Sequence, residues 1–182
     1  GTDPAVYLQL PEKVNIGANF ILLSGACVSK ATTASIDLAG SFIMSGGSIK
    51  AIATSSNATL QINFNGTTNQ IFSKSGGTIG KTNGTNSKAA VKFSVLENAS
   101  LDFGESILDG DASFTLEHGA KLITANPHGI SATGATGSIQ VTGTRTYSSE
   151  ADYEYNGSAT QVTGTGLPLV VRRLIIDNSS GV

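Results

Sequence analysis

Five carboxylates between residues 102 and 117 are the most concentrated group of potential metal ligands in the sequence. Asp109 and Asp111 flank Gly110, so a flexible turn separates two hard oxygen ligands of the kind that Ca²⁺ prefers. The stretch lacks the complete Asp-x-Asp-x-Asp-Gly loop and the nonapeptide Gly/Asp repeat. Two interpretations stay open: a Ca²⁺ site at Asp109 and Asp111, or carboxylates solvated at turns and on outward strand positions. No other cofactor is expected. The five carboxylates are Asp102, Glu105, Asp109, Asp111 and Glu117.

Three tyrosines and an arginine lie close together in the last quarter of the chain. In extended backbone Tyr153 and Tyr155 project from the same face. Their rings could therefore pack against a neighbouring coil of the fold or stack on sugar rings. Packing is the favoured interpretation, and ligand binding by Tyr147, Tyr153, Tyr155 and Arg145 is the alternative.

A polysaccharide-processing enzyme would need ionisable groups that converge in one groove. A lyase needs a cation that neutralises the substrate carboxylate and a base that abstracts a proton. A glycosidase needs two carboxyl groups on either side of the scissile bond. Cations and bases that a lyase could use are present but form no recognisable motif, so the sequence assigns no catalytic residue. They are His118, Lys121, His128, Arg145, Arg172 and Arg173.

The elements that would position these residues are short β-strands. Apolar and polar residues alternate with a period of two, and sustained helical periodicity is missing. Each alternating stretch predicts a strand with one face directed inward. The clearest stretches are residues 60–64, 91–95, 101–103, 114–116, 139–141 and 174–176.

Two internal repeats organise the strands. Residues 42–49 and 72–79 share a Phe, a Gly-Gly pair and an Ile at matching positions, and the Gly-Gly pairs predict tight turns. A second motif has a turn residue, Ala, a small or polar residue and an apolar residue. We interpret the spacing of about forty residues between its first three copies as two solenoid coils, and the later copies as neighbouring strands. The copies are at residues 17–22, 57–62, 98–103, 111–116 and, in part, 119–122.

These repeats predict an all-β fold in which each coil buries its apolar face only by stacking on the next. We expect a single-stranded, right-handed parallel β-helix over residues 1–182, as one domain and as a segment of a longer chain. A β-sandwich is the alternative, since its strands would show similar alternation.

Composition excludes several partners. Only 13% of the residues are charged and the net charge is −2, so no basic surface is expected for nucleic acid. The longest apolar stretch, residues 20–23, is far shorter than a membrane span. The one cysteine, Cys27, lies in an apolar stretch and is expected to be buried.

The last part of the chain carries a family resemblance. The segments SFTLEHGAKLITANPHGI (113–130), GSIQVTGTRTYSSEADYEYNG (137–157), QVTGTGLP (161–168) and LIIDNSSGV (174–182) resemble repeat segments of large secreted surface proteins of bacteroidete-type bacteria. Such proteins are β-solenoids exported by a type IX route. The resemblance covers roughly residues 113–182 and implies location and architecture rather than chemistry.

The sequence therefore predicts a secreted or cell-surface bacterial module with a structural or adhesive role. Its expected partners are glycans or other cell-surface proteins, because hydroxyls and amides rather than ions would solvate its surface. The alternative is a polysaccharide-processing lyase or glycosidase, or a fragment of one.

Overall fold

All regular structure in the described part of the chain is β-strand. The computed structural model describes residues 8–54 and 56–182. Its strands are β1 Leu8–Gln9, β2 Lys13–Ile16, β3 Phe20–Leu22, β4 Ala26–Ser29, β5 Ala34–Leu38, β6 Phe42–Met44, β7 Ser48–Ile52, β8 Ala58–Phe64, β9 Asn69–Lys74, β10 Thr78–Thr82, β11 Ala89–Val95, β12 Ser100–Asp102, β13 Leu108–Gly110, β14 Ser113–Leu116, β15 Lys121–Thr124, β16 Ile139–Val141, β17 Arg145–Tyr147, β18 Asp152–Tyr155 and β19 Arg173–Ile176. The strands predicted from alternation coincide with β8, β11, β12, β14, β16 and β19 within two residues.

The strands stack as a parallel β-helix. Sheet I contains β1, β4, β7 and β10, and the pair β13 and β16 follows it; sheet II contains β2, β5, β8, β11, β14 and β17. Sheet III contains β3, β6, β9, β12, β15, β18 and β19. Up to β18 each strand pairs in parallel with the strand one coil away, and each coil takes about 20 to 30 residues. The predicted β-helix is confirmed and the β-sandwich is wrong, because a sandwich is built from antiparallel sheets. The right-handed coil stays a prediction.

The Gly-Gly repeat marks equivalent positions of successive coils. Phe42 pairs with Phe72, and Ile49 pairs with Ile79. Gly77 has a φ of 80°, and a Cβ on it would collide with Met44 of the preceding coil. Glycine is therefore required there both by the backbone conformation and by the close approach of the coils.

The second repeat does not mark whole coils. Its copies begin β3, β12 and β15 in sheet III but β8 and β14 in sheet II. The interpretation of the spacing of about forty residues as two coils is wrong, because the first and third copies lie in sheet III and the second lies in sheet II, so the spacing is not a whole number of coils. Each copy is a turn that leads directly into a strand. The later copies do lie on neighbouring strands.

A stack of phenylalanines runs through the core under sheet III. The ring centroids of Phe20 and Phe42 are 5.3 Å apart, those of Phe42 and Phe72 are 5.1 Å apart, and those of Phe72 and Phe103 are 4.9 Å apart. Phe42, Phe72 and Phe103 are buried. The rings of Phe42 and Phe72 each lie between a ring of the coil before and a ring of the coil after, so the stack ties consecutive coils together.

Two buried glutamines fasten coil corners to the coil before. Gln70 accepts a hydrogen bond from the backbone N–H of Gly66 at 2.8 Å and donates to the carbonyl oxygens of Leu38 at 2.8 Å and Gly40 at 2.5 Å. Gln161 makes the same arrangement with Gly157, Thr124 and Asn126. The segments NGTTNQ (65–70) and NGSATQ (156–161) match in sequence, a signal that the repeat analysis missed.

Replacing Phe72 by Ala is expected to lower the free energy of unfolding by about 3–5 kcal/mol, because it leaves a cavity between Phe42 and Phe103. The matched control is Ile71→Ala, since Ile71 is the adjacent residue but is 53% exposed. The control is expected to cost about 1 kcal/mol or less. Urea unfolding followed by circular dichroism measures both values. Equal losses in the two variants would contradict the buried stack.

Candidate functional site

The outward surface of sheet II carries mainly uncharged polar side chains, and we call it the polar face. Alternate residues of each strand point outward, and parallel register aligns them into two columns along the solenoid. The first column is Lys13, Ser35, Gln61, Lys92 and Ser113, and the second is Asn15, Asp37, Asn63, Ser94, Thr115 and Thr146.

Charge on the polar face is low and partly compensated. The Asp37 carboxylate lies 2.7 Å from the Lys13 ammonium and accepts a hydrogen bond of 2.7 Å from the Asn63 amide. Hydrogen bonds from Lys13 and Asn63 hold the pKa of Asp37 below its usual value, so the carboxylate is ionised near neutral pH. Gln61 donates to the Ser94 hydroxyl at 2.8 Å, so neighbouring coils are cross-linked on this face.

A second surface is concave, and we call it the corner cleft. It lies where the chain turns from sheet II to sheet III. The same tight turn occurs there in three successive coils, each closed by a backbone hydrogen bond from the N–H of an alanine. These alanines are Ala99, Ala120 and Ala151. The cleft has a volume of about 500 Å³. Its walls come from these stacked turns and from residues 170–172.

Ionisable side chains converge in the corner cleft. Glu97, His118, Glu150 and Arg172 all line it. The His118 Nδ1 atom lies 3.7 Å from a carboxylate oxygen of Glu97. Gly119 forms part of the floor with a φ of 71°, and a Cβ placed on it would lie 3.8 Å from Arg172 Nη1. Carboxylate, imidazole and guanidinium groups are therefore within reach of one small ligand.

Arg172 is held at the edge of the cleft by a buried carboxylate. Asp152 is 1% exposed and accepts hydrogen bonds from Arg172 Nε at 2.7 Å and from Arg173. Burial acts to raise the pKa of Asp152, but the hydrogen bonds and charges of the two arginines outweigh it, so this pKa lies below its usual value. Arg172 also donates to the Gly119 carbonyl oxygen at 3.1 Å.

The tyrosines named as ligand-binding candidates lie mainly inside the fold. Tyr153 and Tyr155 are 0% and 1% exposed, and their hydroxyls donate to the carbonyl oxygens of Ser148 at 2.7 Å and Thr163 at 2.9 Å. Tyr147 is half-buried against Phe114. Burial raises the pKa of all three phenols. These contacts favour packing between coils over stacking on sugar rings.

Arg145 closes a surface loop and, together with that loop, lines a separate cleft of about 300 Å³. Its guanidinium donates to the carbonyl oxygens of Ser131 at 3.1 Å, Gly134 at 2.5 Å and Val141 at 2.8 Å. These bonds hold the loop of residues 131–136 against β16 and β17. Three carbonyl partners use most of its donors, so Arg145 has a structural role in this arrangement.

Asp109 and Asp111 each lie beside a lysine of the preceding coil. Asp109 is 2.8 Å from Lys74, and Asp111 is 3.2 Å from Lys81 and accepts a bond of 3.1 Å from Thr142. Within residues 8–54 and 56–182 no group of three or more His, Cys, Asp or Glu side chains is placed to hold a metal ion. The two carboxylates bridge coils through cations that the protein itself supplies, and binding of Ca²⁺ stays a prediction.

The structure separates the residues that the sequence nominated for a lyase. His118 and Arg172 come together in the corner cleft. Lys121 is paired with Glu154 at 2.5 Å on sheet III, and His128 is exposed in another turn. The sequence did not identify Glu97 and Glu150, because the coils differ in length and no fixed period shows which turns stack on one another. The one available signal was the alanine at the same position of all three turns.

Comparison with known proteins adds no relative. No protein-family model, no curated protein and no solved structure matches the chain. The resemblance of residues 113–182 to bacteroidete surface repeats therefore stays a prediction. In the described part of the chain no helix is long and apolar enough to cross a bilayer.

Replacing Asp152 by Asn tests the electrostatic anchor of the last coil. Because the folded-state pKa of Asp152 lies below its unfolded value, its stabilising contribution is present at neutral pH and is lost as the pH falls through the folded pKa. We expect the variant to be less stable by about 1–3 kcal/mol near neutral pH and to differ less from wild type near pH ~2. Urea unfolding at both pH values measures this.

The control for this experiment is Asp177→Asn. Asp177 is an exposed carboxylate directly after β19, the strand that carries Arg173. The control is expected to leave stability within about 0.5 kcal/mol of wild type. A stability difference for Asp152→Asn that does not shrink on acidification would show that the ion pairs do not contribute as described.

Proposed function

We propose that the protein is an extracellular or cell-surface structural or adhesion module whose polar face binds glycans without changing them chemically. The observation that carries the proposal is the pair of aligned columns on sheet II, in which most side chains are hydroxyls and amides. Hydroxyls and amides both donate and accept hydrogen bonds, as the hydroxyls of a sugar require.

The spacing of the columns suits an extended polysaccharide. Adjacent strands of a sheet lie about 4.8 Å apart, so each column presents one polar group per coil at that interval. This interval is close to the length of one sugar residue in an extended chain. A glycan lying along the solenoid axis would therefore meet a new polar side chain at about every sugar.

The charges of the polar face favour a neutral glycan. Lys13 and Asp37 neutralise each other, and Lys92 is exposed on the same face. A polyanion would need several uncompensated cations, as in sites that bind nucleic acid. Binding is therefore expected to depend on hydrogen bonds and to be nearly insensitive to salt.

Export to the cell surface or the medium is part of the proposal. It is supported by the resemblance of residues 113–182 to secreted surface repeats and by a surface that carries few ions. A cell-surface protein in place of a glycan is the other partner that this location allows. The binding experiment separates the two, because it uses purified polysaccharide.

The double variant Asn63→Ala/Thr115→Ala tests the polar face. It removes two polar groups from one column, and at about 0.5–1.5 kcal/mol for each hydrogen bond the loss of affinity is about tenfold. Binding is measured as retention of the protein on insoluble cellulose, chitin and xylan at low and high salt.

The matched control is Asn69→Ala/Ser100→Ala, which removes a similar pair of groups from sheet III, where Ser100 donates to Asn69 at 2.8 Å. The control is expected to bind as wild type does. Equal losses in the two double variants, or no retention of wild type on any of the three polysaccharides, would overturn the proposal.

A polysaccharide-processing enzyme is the second candidate, and one observation favours it. The corner cleft brings the carboxyl groups of Glu97 and Glu150 together with His118 and Arg172. Carboxyl pairs of this kind serve as acid and as base or nucleophile in glycosidases. A base and a cation also suffice for proton abstraction by a lyase.

The variant Glu150→Gln tests this second candidate, because it keeps the side-chain shape while it removes the ionisable group. Release of reducing ends detects a glycosidase, and ultraviolet absorbance of an unsaturated product detects a lyase. If the cleft cleaves glycans, the variant loses at least about 100-fold in rate. If wild type forms no more product than Glu150→Gln from either neutral or acidic polysaccharides, the enzyme candidate is excluded.

A further inference from the structure

Three side chains of the corner cleft form a column along the solenoid, and one of them, Ser149, has no part in the binding proposal or in the glycosidase candidate. The register of sheet III aligns Ser100 with Lys121 and Lys121 with Asp152. Three residues earlier on each of these coils stand Glu97, His118 and Ser149. Their turns have the same backbone hydrogen bond, so the three residues occupy equivalent positions, about 4.8 Å apart along the solenoid.

The order in the column is carboxylate, imidazole, hydroxyl. His118 stands between the other two, with Glu97 on the coil before and Ser149 on the coil after. Its Nδ1 atom faces Glu97, with a carboxylate oxygen 3.7 Å away. Ser149 lines the same cleft, so the second ring nitrogen, Nε2, is the one that remains to accept a proton from the serine hydroxyl.

The rest of the cleft offers what such a trio would need. Arg172 lines the cleft beside Gly119, where its guanidinium can stabilise a developing oxyanion. Val170 and Val171 add apolar side chains to the lining. The cleft of about 500 Å³ is open to solvent, so small substrates and water can enter.

We propose that Ser149, His118 and Glu97 form a nucleophilic site that hydrolyses short-chain carboxylic esters, with Arg172 as the oxyanion stabiliser. Ser149 is the nucleophile and His118 the general base, while Glu97 is a positioning residue that orients the imidazole. This activity goes beyond glycan binding by the polar face and does not depend on it.

The chemistry balances with water as the only co-reactant. Ser149 Oγ attacks the ester carbonyl carbon while its proton passes to His118 Nε2, which gives a tetrahedral oxyanion beside Arg172. The carbon–oxygen bond to the alcohol then breaks, and His118 returns the proton to the departing alcohol. A water molecule, deprotonated by His118, then attacks the acyl-serine carbonyl carbon. The bond from that carbon to Ser149 Oγ breaks, His118 gives the proton to Oγ, and the carboxylic acid leaves with the serine and the imidazole restored.

The first test is hydrolysis of p-nitrophenyl acetate by the whole chain and by single variants. Ser149→Ala and His118→Ala are each expected to lower kcat/KM by at least about 100-fold. The matched control is His128→Ala, which removes the other histidine from an exposed turn and is expected to keep the wild-type rate. Circular dichroism and the thermal midpoint confirm that each variant is folded.

The role of Glu97 has its own readout. Glu97→Gln is expected to lower kcat by about tenfold or more with KM unchanged, because only the orientation of the base is lost, and Glu97→Asp is expected to restore part of kcat. If Glu97 had a purely structural role, both variants would have a lower thermal midpoint, and kcat would not fall selectively while KM stayed the same.

Covalent labelling identifies the nucleophile independently of turnover. A fluorophosphonate probe is expected to add to wild type once per chain, at Ser149, and not to add to Ser149→Ala. The proposal is overturned if wild type and Ser149→Ala hydrolyse the ester equally, if the probe labels neither, or if only His118→Ala lowers the rate. The last result would mean that an exposed imidazole acts alone.

Discussion

Stacking of each coil on its neighbours is the constraint on which the rest of this molecule depends. A single coil cannot cover its own apolar side, and the stacked rings of Phe42, Phe72 and Phe103 are buried because other coils lie against them. Parallel register keeps these rings in line, since a shift of one residue would turn the apolar side chains outward. The same register aligns every outward side chain, so the core that stabilises the fold also sets the columns of the polar face and of the corner cleft.

Electrostatics follow the same geometry. Charges are paired between coils rather than within them, as in Lys13 with Asp37, Lys74 with Asp109 and Lys121 with Glu154. At least one side chain of each pair is largely buried, and the pairs cancel local fields along the solenoid. The polar face is left with hydrogen-bonding groups and little net charge, and the proposal of a neutral ligand is based on this balance. The corner cleft differs, because Glu97, Glu150 and His118 concentrate there and Arg172 is held by the buried Asp152.

The sequence predicted the architecture because period-two alternation and the Gly-Gly repeat are local signals of strand and coil. Phe42 and Phe72 occupy matching positions of the repeat and are paired in the structure. The site could not be predicted in the same way, because coils differ in length: about twenty residues separate Glu97 from His118 and about thirty separate His118 from Ser149. No fixed period brings the three side chains together in the sequence. Burial of Tyr153 and Tyr155 likewise depends on which coil covers them, which alternation alone does not show.

Variation in coil length is confined to particular corners, and this bears on where chemistry can be located. The turns from sheet II to sheet III keep the same backbone hydrogen bond at Ala99, Ala120 and Ala151. Additional residues enter elsewhere, as in the long connection from β15 to β16, whose loop is fastened by Arg145. Side chains on the constant turns are held by paired strands on both sides, so their relative positions are more precise than those on an inserted loop. At such a corner, single substitutions can place a reactive set of side chains in one column, while the stacked core beneath the column stays intact.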